Sequence, residues 1–167
     1  MSIAASLLPE FDHEMANTRK TLDRMPEDKS KYDWAPDPKS MPFMKLAGHL
    51  ATIPNWGVHT LEKEFVDVAS EPMPAPPTSK KELLDAFDKN VKEARAALEH
   101  AKDEDFHKPW SLKQGDKVIF TMPRSMVFRN MIMNHAVHHR AQLCVYYRLN
   151  GIPVPALYGP SADEQSF

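Results

Sequence analysis

Proline and helix-capping residues cut this chain into four long stretches in which apolar side chains recur at intervals of three and four residues. That period lines one face of an α-helix, and a stripe of that kind must be buried against a partner. Helices are therefore the main material of the fold. The chain carries 15 prolines but only 5 glycines. So few glycines argue against many tight β turns and against phosphate-cradling loops, which leaves the prolines to punctuate a small number of long elements.

The first helix is predicted over residues 6–25, with Leu8, Phe11, Met15, Leu22 and Met25 on its stripe and Pro9 in its first turn, where the missing N–H is harmless. Residues 29–39 contain Trp34-Ala35-Pro36-Asp37-Pro38 and read as an extended loop, because each residue before a proline is pushed out of the helical region. Ser40 is placed to cap a second helix running to about Val68, with Pro42 in its first turn. Leu46, His49, Ile53, Trp56 and Thr60 share one face of it, and Pro54 predicts a kink by freeing the carbonyl of Leu50. Residues 71–77 hold four prolines and read as a stiff connector.

Ser79-Lys80-Lys81-Glu82 has the form of a capping box and opens a third helix, with Leu83, Phe87, Val91, Ala94, Leu98 and Ala101 inward. Trp110-Ser111-Leu112 and Val118-Ile119-Phe120 flank Gln114-Gly115-Asp116, which predicts a small β-hairpin. The fourth helix is predicted from Pro123 to Asn150-Gly151, with Phe128, Ile132, His135, His139, Gln142 and Tyr146 inward. Four amphipathic helices in 167 residues predict an all-α fold: one four-helix-bundle domain over residues 1–167, with the hairpin between helices 3 and 4.

Charge and cysteine usage narrow the function. Lys and Arg number 21 against 23 Asp and Glu, a net charge of −2, so there is no excess of cations for a phosphate backbone and no nucleic-acid partner is expected. Cys144 is the single cysteine, so no intrachain disulfide framework is available. The N-terminus lacks a basic leader, and no run approaches the ~18 apolar residues of a membrane span. A cytoplasmic location without membrane partners is the expectation.

The 8 histidines stand at positions 13, 49, 59, 100, 107, 135, 138 and 139. His135 and His139 are four residues apart, so both imidazoles leave the same helix face one turn apart and can converge on one metal ion. His138 points about 100° away from His139 on the same helix. Two explanations fit the pair: a metal site, or hydrogen-bonded residues of the core or of a dimer face. His49, on the apolar face of helix 2, completes a set of three imidazoles that leaves coordination positions open, as catalytic sites do. His13 and Asn17 are candidates either for the rim of that site or for plain surface, and His59, His100 and His107 read as surface. Met122, Met126, Met131 and Met133 read as core filler, and Cys144 as a buried, inert thiol.

Several stretches together resemble a known family. They are Trp34-Ala35-Pro36-Asp37-Pro38-Lys39-Ser40-Met41, Leu46-Ala47-Gly48-His49-Leu50 with Pro54-Asn55-Trp56, and Asn134-His135-Ala136-Val137-His138-His139-Arg140-Ala141-Gln142-Leu143. Tyr147-Arg148-Leu149-Asn150-Gly151-Ile152-Pro153-Val154-Pro155 and Leu157-Tyr158-Gly159-Pro160-Ser161 follow. In order and spacing they resemble the DinB-like superfamily, of the DinB/YfiT type, with Ala141 standing where the family often has glycine. The resemblance implies an up-down-down-up bundle and a divalent metal ion, often nickel or zinc, held by His49, His135 and His139. It also implies frequent homodimers, an expectation to which Met126, Val127, Met131, Met133, Val137 and Leu143 contribute by making helix 4 apolar on a second side.

The expected function is that of a metal-dependent enzyme that activates water or a low-molecular-weight thiol toward a small-molecule substrate, with thiol transfer in detoxification preferred. The rival is a non-catalytic metal-binding or stress-response protein. His138 and Tyr158 are the candidates for contacts that support the metal ligands.

Overall fold

The computed structural model describes residues 2–71 and 74–165; Pro72 and Met73 of the expected connector lie outside the described residues. The chain forms α1 (Ile3–Leu22), a short 3-10 turn (Lys29–Lys31), α2 (Phe43–Thr52), α3 (Asn55–Glu62), β1 (Phe65–Asp67), α4 (Lys80–His100) and α5 (Asp103–His107). It continues with β2 (Pro109–Gln114), β3 (Lys117–Pro123), α6 (Arg124–Val127), a π-helical stretch (Phe128–Asn134) and α7 (His135–Leu149). Four long helical units make an all-α core: α1 packs on α4, α4 on α2 and α3, α2 on α7, and α7 back on α1. Phe11, Phe43, Phe87, Phe106 and Phe128 are fully buried at its centre. No helix among the described residues is long and apolar enough to cross a membrane.

The helix ends differ from the sequence expectation in instructive ways. α1 starts before Ser6, because the Ser2 hydroxyl accepts from the Ala5 N–H at 3.1 Å. Pro9 therefore lies inside the helix, on an exposed side where water can take the carbonyl it leaves free. Ser40 does not cap α2. The first free N–H groups of α2 go to the loop before it instead, Phe43 to the Trp34 carbonyl at 2.8 Å and Met44 to the Tyr32 carbonyl at 3.0 Å. Pro54 breaks the second helix into α2 and α3, and α3 ends at Glu62 instead of reaching Val68. At α4, Ser79 accepts from the Glu82 N–H at 3.2 Å, but Glu82 reaches the Thr78 N–H and hydroxyl rather than the N–H of Ser79.

The expected hairpin exists, with Gly115 at φ +60° in its turn, but it is two thirds of a sheet. β1 joins β2 in parallel, pairing Phe65 with Ser111 and Asp67 with Lys113, to give the order β1-β2-β3. The segment 65–67 looked helical in the sequence because a short apolar run has no decisive period. Pairing with β2 decides it. Val66, Trp110 and Val127 bury one face of this sheet against the helices. Arg124, 7% exposed, donates to the Leu61 and Lys63 carbonyls at 2.8 Å each, so the end of α3 is capped by the first residue of the helix that carries the paired histidines.

The fourth helix is the main surprise. It contains a π-helical stretch, whose turn is wider than that of an α-helix. Ala136, His139, Arg140, Leu143, Tyr146 and Tyr147 face inward, and Gln142, expected inside, is exposed. Val127, Met133 and Leu143 are at most 2% exposed in this chain's own interior. The second apolar face inferred from them is thus already covered, whereas Met126 remains 49% exposed. α7 stops at Asn150 with Gly151 at φ +68°, as its Asn-Gly sequence predicts.

Candidate metal centre

His49 comes from the last turn of α2, and His135 and His139 from the first turns of α7. The packing of α2 on α7 brings one ring nitrogen of each within 4.8 Å of the others. His135 Nε2 lies 2.8 Å from His139 Nε2 and 3.3 Å from His49 Nε2. The ring centroids of His49 and His139 are 4.6 Å apart, nearly perpendicular. His139 is buried and the other two are half-buried.

The remaining nitrogens explain the convergence. His135 Nδ1 lies 3.3 Å from the Met131 carbonyl, and His139 Nδ1 lies 2.7 Å from Gln142 Oε1. Both oxygens accept, a pairing in which the Nδ1–H tautomer donates and leaves Nε2 as the lone-pair nitrogen. A neutral ring then offers only a lone pair at Nε2. In that tautomer the two Nε2 lone pairs, 2.8 Å apart, face one shared point that a proton or a metal ion can occupy. The donor set therefore fits a metal ion. Two imidazoles on a zinc-like ion at ~2.0–2.1 Å stand about 3.3–3.4 Å apart at a tetrahedral angle. The His49–His135 separation already has this value, and the His135–His139 pair is somewhat closer.

Burial keeps the rings neutral, the state a metal ligand needs. The His49 imidazole is pushed down to about 4, first by burial and then by the facing His139 and His135. Burial is also the main cause of the lowered values at His135 and His139, opposed by the Met131 carbonyl at the first and by Gln142 at the second.

The other candidates fall outside the cluster. His138 is exposed, its ring 4.9 Å from that of His139, and it is not among the three residues whose nitrogens converge. His13 is exposed and meets the buried Asn17 at 3.2 Å, beside the Tyr158 ring. Tyr158 supports no histidine of the cluster. Its hydroxyl donates to Glu14 Oε2 at 2.6 Å and also meets Arg140, and burial followed by the Glu14 contact pushes the phenol up to about 12. His100 and His107 are exposed as expected, but His59 is half-buried, its Nε2 3.1 Å from Asn55 Nδ2. Cys144 is half-buried, and burial raises its thiol pKa, which keeps it protonated.

Three contributors escape a sequence reading. The Met131 carbonyl belongs to the π-helical stretch, and the periodicity of the fourth helix places Gln142 in the core rather than against His139. Arg140, 1% exposed, donates to the Glu14 carbonyl at 2.9 Å, to Thr18 Oγ1 at 3.1 Å and to Glu14 Oε2 at 2.6 Å. It locks α7 to α1 next to His139. The neighbouring Ala141, Gln142 and Arg148 are exposed, so nothing local marks Arg140 as interior.

The DinB family model matches residues 1–166. Among solved structures, a DinB-like protein from Bacillus cereus is 26% identical, with a TM-score of 0.68 over 94% of this chain and 98% of that one. A DinB-like protein from Bacillus subtilis is 16% identical at a TM-score of 0.68, over 97% and 99% of the two chains. A member of the family from Exiguobacterium sibiricum is 15% identical at 0.64, over 93% and 97%. The last two are likenesses of fold. No curated protein matches the chain.

Proposed function

The chain belongs to the DinB family, and from that premise we propose that it is a metal-dependent enzyme whose ion is held by His49, His135 and His139. The observation that carries this reading is the convergence of three imidazole nitrogens, with His135 Nε2 2.8 Å from His139 Nε2 and 3.3 Å from His49 Nε2. A divalent ion, nickel or zinc, supplies Lewis acidity when bound there, enough to make a coordinated water or thiol nucleophilic near neutral pH.

The chain's own residues set the conditions. Three neutral imidazoles leave the ion's charge uncompensated and its remaining positions open. Gln142 and Met131 fix the tautomer and the ring orientation of two of them. Arg124 holds the start of the helical unit that carries them, and Arg140, one residue after His139, ties its middle to α1.

We prefer thiol transfer to a small electrophilic substrate over hydrolysis. The preference rests on family analogy, as do the up-down-down-up order of the helices and a homodimer. One domain over residues 1–167 and a cytoplasmic location complete the proposal, the latter from the lone Cys144. Metal analysis of the protein as purified, followed by a panel of low-molecular-weight thiols with an electrophilic acceptor, tests it. Stoichiometric nickel or zinc and thiol-dependent turnover are expected. A bound metal that exchanges no water, thiol or anion would instead support a non-catalytic role.

A further inference from the structure

We propose that the cavity beside His49 binds a small molecule with an apolar body and one anionic group, and that Lys45 recognises the anion. The proposal names the substrate class for the proposed metal site and rests on that reading for its catalytic meaning; the binding itself does not require the metal.

The cavity has a volume of about 480 Å³, a size suited to a small organic ligand. One wall is a face of α2 carrying Lys45, Gly48, His49 and Thr52, at the i, i+3, i+4, i+7 spacing of a single helix face. The other wall is residues 74–77, with Met41 at one end. Pro77 lies so close that a Cβ on Gly48 would meet its Cδ at 2.7 Å, so the glycine lets this wall approach the helix. Met41, Ala75 and the three prolines give the cavity an apolar surface.

Its polar inventory is short. The Thr52 hydroxyl donates its proton to the His49 carbonyl at 2.8 Å. None of the lining residues is acidic, and Lys45 is the lining residue that carries a permanent charge. Lys45 enters no ion pair among the described residues. A cationic residue on the lining of an apolar cavity, without an ion-pair partner, favours an anion. Lys45 and His49 are one turn apart on α2, a rise of about 6 Å. A ligand can therefore present its anionic group to Lys45 while its other end lies against His49.

The test uses phenylacetate and its neutral counterpart phenylacetamide as probes, followed by NMR titration of the full-length protein with added zinc and after chelation. Phenylacetate is expected to shift the amides of Gly48, His49 and Thr52 in both states. Lys45→Gln is expected to weaken phenylacetate about 5-fold, the range of an exposed charge pair, with no change for phenylacetamide and recovery in Lys45→Arg. Equal affinity for the two probes, or an unchanged phenylacetate affinity in Lys45→Gln, overturns the proposal. So does binding that requires zinc and ignores Lys45, an outcome that leaves the metal reading standing. A protein that never binds zinc but keeps Lys45-dependent binding defeats the metal reading and supports the cavity.

Discussion

His135 and His139 face each other Nε2 to Nε2 at 2.8 Å, while each ring's Nδ1 is spent on an oxygen that cannot donate. With the protons on Nδ1, the two Nε2 lone pairs meet at one shared point that a proton or a metal ion can fill. His139→Ala and His135→Ala are accordingly expected to abolish zinc or nickel binding, or to weaken it far more than His138→Ala. His138 is exposed and outside the converging set, and its loss is expected to cost at most ~10–100-fold in affinity. Metal titration of the three variants checks the order. A dominant effect of His138→Ala would contradict the geometry.

Gln142 offers a sharper test, because it lies outside the cluster and is exposed. Gln142→Leu removes the acceptor that holds the His139 proton on Nδ1. Metal affinity is expected to fall ~10–100-fold, with thermal stability of the metal-free protein little changed. Equal affinities for the variant and the parent chain would show that the contact does not orient the ring.

Acid is expected to destabilise the metal-free protein in a defined window. The folded chain holds His49 down at about 4, so between the ordinary histidine value and that point the unfolded chain binds more protons. Stability is therefore full above about pH 6.5 and declines as pH falls toward about 4. His135 and His139, also lowered, add to the same slope. Denaturant melts across this range are expected to show the decline, and His49→Gln is expected to flatten it. A parent-like slope in that variant would assign the acid sensitivity to other groups.

Arg140 is expected to matter for folding more than its place beside a ligand suggests. Arg140→Ala leaves the largely buried Glu14 carboxylate without its guanidinium, and removing one partner of a buried ion pair costs about 3–5 kcal/mol. Urea unfolding measures this directly. A loss below about 1 kcal/mol, the range of exposed pairs, would mean that the carboxylate finds water instead.

Sedimentation checks the proposed homodimer. A single species of twice the chain mass is expected at micromolar concentration, and a monomer there would remove the dimer from the proposal.

What the sequence determined by itself is local. The i,i+4 spacing of His135 and His139, the exclusion of His138, the stop at Asn150-Gly151, the interruption at Pro54 and the turn at Gly115 all follow from sterics and hydrogen bonds within about four residues. Those forces act whatever the rest of the chain does, so they are written in the residue order. The tertiary structure decided everything that depends on contacts between distant residues. Residues 65–67 became a strand because β2 offered them a ladder, and Arg140 is held inside by Glu14 and Thr18 of α1. The approach of His49 to the pair came from the packing of α2 on α7, and the cavity over it from Pro77 settling against Gly48. Such contacts are chosen by competition among packings of similar local quality, and no short-range pattern records which one wins.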